Sequence, residues 1–270
     1  MRDRPAITPN QVRSFGIVNW LGVWTLYVRE IQRFAKIWLQ SIAAPAMVSL
    51  LFLAVFSLVL GGAGRSVGDV PFLQFLAPGL IMMAIIQNSF QNATSTLMIS
   101  KMQGSIVDLL MPPLAAWELM LGLALGGATR GILVAIVVAA AIYIFVPFGL
   151  SSIAPIIVFA LLSSSALSVM GVIVGIWADK FDNIATITNF IITPLAFLSG
   201  TFYSIERLPA AFHTASQFNP FFYMIDGFRS GFIGQSDAPV LLGGAILLGL
   251  NVALWGFCYH LLASGYKLKA

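Results

Sequence analysis

Six stretches of the chain are each long enough, as helices, to cross the hydrocarbon core of a bilayer, and this constrains the fold more than any other feature. That core is about 30 Å thick and takes roughly 20 apolar residues at 1.5 Å per residue. The runs extend from about Ile37 to Leu60, Phe72 to Met98, Glu118 to Val146, Ile153 to Ala178, Ile184 to Phe202 and Val240 to Ala263. Inside a bilayer only helices and closed barrels satisfy their own backbone groups, and runs of this length exclude strands. The expectation is an all-α integral membrane protein with six transmembrane helices in one transmembrane domain covering residues 1–270. With 59% hydrophobic and 9% charged residues, little is left for a soluble domain. A soluble activity would have to come from another chain.

The connections carry the rest of the reading. Over 19–36 the sequence predicts an amphipathic helix: at about 100° per residue, Trp20, Trp24, Tyr27, Ile31 and Phe34 fall on one side and Arg29, Arg33 and Lys36 on the other. Such a helix suits the membrane interface, aromatics inward and cations toward headgroups or a protein partner. Between the second and third runs, Lys101, Gln103 and Asp108 alternate with Ile106, Val107, Leu109, Leu110 and Met111 before Pro112-Pro113 stops the helix. A short amphipathic helix over about 101–111, held at the membrane face, suits docking into a groove of a partner. After the fifth run, 203–234 is aromatic and punctuated by Pro209 and Pro220, and is too short to span.

Of the 14 Lys and Arg residues, Arg2, Arg4, Arg13, Arg29, Arg33, Lys36, Lys101, Lys180, Lys267 and Lys269 fall on the side of the termini, and Arg65, Arg207 and Arg229 on the other. The positive-inside rule therefore predicts cytoplasmic termini, an outward-facing 203–234 segment and residence in the cytoplasmic (inner) membrane. The start of the chain is charged and lacks the apolar core of a secretory signal. The net charge of +4 lies at the ends of apolar runs, which favours lipid headgroups over nucleic acid as the partner.

Within the runs, three features stand out. Gln87, Asn88, Gln91, Asn92 and Ser95 give the second run one broad polar face, and Asn189 and Thr193 form an i, i+4 pair on the fifth. Amides in lipid cost several kcal/mol each without partners, so this face meets other helices or lines a polar passage. Arg130 is the one unambiguous charge inside a run, with Glu118 about three turns away. Gly122-x-x-x-Gly126, Gly127-x-x-x-Gly131 and Gly171-x-x-x-Gly175 have the spacing of close helix contacts. Cys258, set in an apolar run, reads as a small packed hydrophobe. No G-x-x-x-x-G-K-[ST] phosphate loop, H-E-x-x-H or G-x-S-x-G occurs, so an enzyme is not expected.

The chain resembles the membrane permease subunit of type-2 ABC exporters, the group of drug, lipo-oligosaccharide and polysaccharide export permeases. The likeness rests on Asp179-Lys180-Phe181-Asp182-Asn183, Thr193-Pro194-Leu195, Leu198-Ser199-Gly200-Thr201-Phe202-Tyr203, Leu208-Pro209, Asn219-Pro220 and Gly227-Phe228-Arg229, in that order. Pro78-Gly79-Leu80 and Asp108-Leu109-Leu110 with Pro112 support it. The resemblance implies a dimer, homomeric or heteromeric, each half bound to a cytoplasmic ABC ATPase that carries ATP and Mg, with no cofactor on this chain. It makes 19–36 the interfacial helix, 101–111 the coupling helix and 203–234 a pair of short outer helices that dip back into the membrane. ATPase coupling is then assigned to Lys101, Gln103, Asp108, Leu109, Arg29 and Arg33. The substrate passage falls to Gln87, Asn88, Gln91, Asn92, Asn189 and Thr193, and an outer gate to Tyr203, Phe221, Phe222 and Tyr223. A membrane scaffold using the same surfaces without moving cargo is the alternative reading, and an ion-coupled transporter is disfavoured by the lack of carboxylates within the runs.

Overall fold

The computed structural model describes residues 18–60, 66–67, 70–203 and 216–267. Arg2, Arg4, Arg13, Arg65, Glu206, Arg207, Pro209, His213 and Lys269, and with them the middle of the outer segment, lie outside the described residues. The described chain is almost wholly helical, and six of its helices are long and apolar enough to cross a membrane.

Helix α1 (Trp20–Lys36) begins at Asn19, whose side chain accepts a hydrogen bond from the Gly22 amide at 2.9 Å, as an N-cap should. A π-helical turn, Leu39–Ala43, leads into α2 (Ala44–Leu60), and together they make the first candidate span. A two-residue ribbon follows, β1 (Ser66–Val67) paired antiparallel with β2 (Val70–Pro71), Val67 opposite Val70. The second span is α3 (Phe72–Met102), which runs past the apolar stretch and takes Lys101 into its last turn. Helix α4 (Ile106–Leu110) is short and ends before Pro112-Pro113. The third and fourth spans are α5 (Ala116–Phe145) and α6 (Ile153–Trp177).

The fifth span, Phe181–Leu198, is assembled from α7 (Phe181–Ile187), a second π turn (Thr188–Ile192) and α8 (Thr193–Leu198). Helix α9 (Pro220–Ile233) starts at Asn219, whose side chain caps the Phe221 amide, and ends at Gly234 with φ +79°. At 14 residues it is about 21 Å long, short of a crossing. The sixth span is α10 (Val240–Ser264).

Both π turns lie just before a proline, and sterics supply the reason. A proline ring inside a helix collides with the carbonyl four residues earlier. For Pro45 that residue is Ser41 and for Pro194 it is Phe190, both within the π turns. A turn widened by one residue takes up the collision while most backbone bonds persist.

Helix α3 is the axis of the bundle: 83% of its apolar window is buried, against 17% and 11% for the first and fifth spans. The three glycine pairs explain how neighbours approach closely. A Cβ on Gly122 or Gly126 would strike Leu26 or Glu30 of α1. On Gly127 or Gly131 it would strike Ser168 of α6 or Ser89 of α3, and on Gly171 it would lie 2.5 Å from the Phe90 carbonyl oxygen. Two apolar clusters result. The larger runs from Phe72, Leu76 and Ile85 of α3 through Val138 to Phe221, Phe222 and Phe228 of α9; the smaller joins Leu26, Leu97, Leu109, Leu123 and Ile176. Cys258 is fully buried in the smaller cluster as a free thiol.

Candidate functional site

The broad polar face of α3 divides in two. Helical rotation separates Gln87 and Gln91 from Asn88 and Asn92 by about 100°. Gln91 is exposed and Gln87 half-buried, whereas Asn88 and Asn92 are buried. Gln87, Gln91 and Thr193 line two adjoining grooves of about 490 Å³ each, beside α2 and the fifth span. The first also takes in Gln40, Ser49 and an edge of Asn88, with Val48, Phe52, Leu80 and Phe197 as apolar walls. The second takes in Thr94, Thr188 and Asn189. Five of the six residues assigned to a passage thus share one flank of the bundle, and none of the lining residues is charged.

Asn92 is the exception, because it faces α1. Its carbonyl and side-chain oxygens accept from Arg33 Nη2 at 3.0 and 2.9 Å, and its Nδ2 donates to Glu30 Oε2 at 3.4 Å. Glu30 Oε2 also accepts from Thr96 Oγ1 at 2.6 Å and pairs with Arg33 at 3.1 Å. Glu30, 1% exposed, is the residue that the sequence did not single out. On α1 the bundle-facing stripe is Val23, Leu26, Glu30 and Phe34, about a quarter turn from the aromatic stripe, and Trp20 and Trp24 remain exposed. Arg33 therefore turns into the protein, while Arg29 stays on the surface.

The residues assigned to coupling separate in the same way. Lys101 Nζ donates to the Ile176 carbonyl and, at 3.1 Å, to that of Ala178, so this cation caps the carbonyl end of α6. Leu109 is buried, leaving Gln103 and Asp108 exposed. Arg29, Asp108, Leu109 and Pro112 line one surface cleft of about 400 Å³ between α1 and α4. Glu118 anchors the start of α1 at this cleft. Its Oε1 accepts from the Asn19 amide at 2.6 Å and its Oε2 from the Ala115 amide at 2.8 Å, so it joins the starts of α1 and α5 and is not a partner of Arg130. At the same end, Lys267 pairs with Asp179 at 2.7 Å, a hydrogen bond that holds the Asp179 carboxyl below the usual range and raises the Lys267 ammonium.

The aromatic residues assigned to an outer gate do not lie on a surface. Phe221, Phe222 and Tyr223 are buried within α9, between α3, α6 and α10; only Tyr203 is half-exposed. Asp226 and Arg229 are buried too. Asp226 accepts from the Asp237 and Ala238 amides at 2.9 and 3.0 Å. Arg229 donates to the Gly200 carbonyl at 2.7 Å and lies 3.7 Å above the Phe75 ring. Gly79 makes room for this junction, since a Cβ there would lie 2.7 Å from the Thr201 carbonyl oxygen.

Five apolar spans packed around the buried α3, with an uncharged polar groove on one flank and α1 tied to that axis, make a multi-pass membrane protein. Residues 22–233 match the ABC-2 type transporter family model, and the chain belongs to that family. It is 34% identical over 251 residues to the inner membrane transport permease YadH of Escherichia coli K12, covering 93% of this chain and 98% of that one. It is 28% identical over 236 residues to nodulation protein J of Rhizobium leguminosarum bv. trifolii, covering 86% and 84%. With nodulation protein J of Rhizobium meliloti it shares 25% over 239 residues, covering 87% and 86%.

Proposed function

We propose that the chain is the permease subunit of an ATP-driven exporter of the inner membrane, working with a separate cytoplasmic ABC ATPase that holds the ATP and Mg. The observation that carries this reading is the groove: Gln87, Gln91, Asn189 and Thr193 are left open on one flank, although the buried amides Asn88, Asn92, Asn219 and Asn251 are hydrogen-bonded internally. Open amides in a bilayer require polar company. A second permease subunit placed across the groove would supply it and close a passage for an amphipathic drug, polar lipid or glycan.

The ATPase would dock at the cleft between α1 and α4, where Arg29, Gln103 and Asp108 are accessible, with the termini cytoplasmic. A push there would reach α3 through Glu30, Arg33 and Asn92. Helix α9 would dip into the outer leaflet and brace the end of the fifth span through the bonds of Asn219 to Leu195 and Ser199. The test is co-expression with the candidate ATPase, followed by purification and measurement of ATP turnover in lipid. Stable association and turnover altered by the permease are expected; absence of both sinks the reading. Charge reversal at Asp108 should uncouple turnover from transport.

A further inference from the structure

Two arginines, Arg130 and Arg229, are buried in this bundle and a third, Arg33, is partly so, and their company differs. Arg33 has the Glu30 carboxylate at 3.1 Å together with Asn92 and Ser95. Arg229 has the Gly200 carbonyl and the Phe75 ring, with Asp226 one turn away on the same helix. Arg130, 6% exposed, forms no ion pair among the described residues, and its one hydrogen bond there is a long one, 3.5 Å from Nη2 to Asn88 Oδ1; its Nε, like those of Arg33 and Arg229, has no hydrogen-bond partner. It stands midway along α5, about 20 Å from either end, too far for its side chain to reach an interface. A buried charge without its opposite is strongly unfavourable, and the buried Glu30 carboxylate pairs with Arg33 and Arg29, not with Arg130.

Asn88 connects this cation to the groove. It accepts from Arg130 on one side and forms part of the groove lining on the other. The groove offers no cation or carboxylate of its own, only amides and hydroxyls beside the apolar walls of Val48, Phe52, Leu80 and Phe197. We infer that Arg130 and Asn88 form the headgroup end of a binding site for an anionic amphipath, a phosphate- or carboxylate-bearing molecule whose apolar part lies along the groove. The anion would displace the long Asn88 contact and supply the missing negative charge. The inference names a substrate class and rests on the groove being the transport passage.

Binding of dioctanoyl phosphatidic acid and of dioctanoyl phosphatidylcholine to the full chain, purified in non-ionic detergent, tests it by native mass spectrometry. The wild type should prefer the phosphatidic acid by about tenfold. Arg130→Gln should bind both alike, and Arg130→Lys should keep the preference. Asn88→Asp, nearly isosteric, provides an internal counter-charge and should abolish the preference while melting no lower than the wild type; this variant decides the matter if Arg130→Gln fails to fold. An undiminished preference in Asn88→Asp overturns the inference. So does displacement by inorganic phosphate as strongly as by the lipid, because an amphipath would then not be the ligand. Loss of ATPase stimulation with lipid preference intact would count against the permease reading alone.

Discussion

The second and fifth spans both contain a proline and both carry amides, yet one is the best-buried helix of the bundle and the other the least. In α3 the amides Asn88 and Asn92 face neighbouring helices and are bonded to Arg130, Arg33 and Glu30. In the fifth span Asn189 is exposed and Thr193 half-buried, both on the groove. The contrast teaches that polarity within a span has two uses here. Where three helices converge it fixes the packing, and where the bundle is thin it leaves groups free to meet something else.

The largest blow to this contrast should come from Arg33→Met. It leaves the buried Glu30 carboxylate with only the exposed Arg29 guanidinium, 3.7 Å away, at a cost of about 3 kcal/mol, toward the low end for such pairs because the Arg33 side chain is 27% exposed and Arg29 remains. Thermal unfolding in detergent would show it, and Glu30→Gln in the same chain should recover most of the loss. Next is Gly171→Val, which drives a branched side chain against the Phe90 carbonyl of α3 and should cost about 2 kcal/mol.

In the fifth span the same measurement should register little. Asn189→Leu, Thr193→Val and Phe190→Ala should each stay within about 0.5 kcal/mol, while the first two reduce substrate-dependent ATP turnover. Phe190 is 78% exposed, so a much larger loss in lipid than in detergent would mean that another subunit covers it.

The smallest effect belongs to Lys267→Ala. The depressed Asp179 carboxyl contributes stability above the normal carboxylate range and loses it as the pH falls through its folded value, whereas the raised Lys267 ammonium loses its share only in strongly alkaline solution. The melting difference between wild type and variant should therefore be present at neutral pH and vanish in acid. A difference that persists in acid removes the ion pair as its cause.

These particulars also show how far residue order reaches. The six spans were legible because a bilayer imposes a length on apolar runs that nothing else in this sequence obscures. The glycine pairs were legible as contacts, though not which helix each would meet. The polar face of α3 was visible, but its division was not: i, i+4 spacing groups Gln87 with Gln91 and Asn88 with Asn92 without saying which pair faces α1 and α5. Glu30 gave no signal, since one carboxylate among surface cations looks solvated until α1 docks. Phe221 to Tyr223 are assigned to an outer gate by the resemblance, since the segment that carries them is aromatic and too short to span. Only the wedging of α9 between three helices makes them core.

The two π turns have a further consequence. Gln40, within the first, lines one groove together with Pro45 and Thr193, and Thr188, Asn189 and Ile192, within the second, line the adjoining one, so each groove borders a turn with one surplus residue. A surplus residue is a rotation of about 100° held in the chain without a gap in its length. Deleting a single residue from either turn should swing Gln40 or Asn189 out of its groove, and should return the proline ring to its collision with the carbonyl four residues earlier. The lining of this groove is thus a matter of phase as much as of composition.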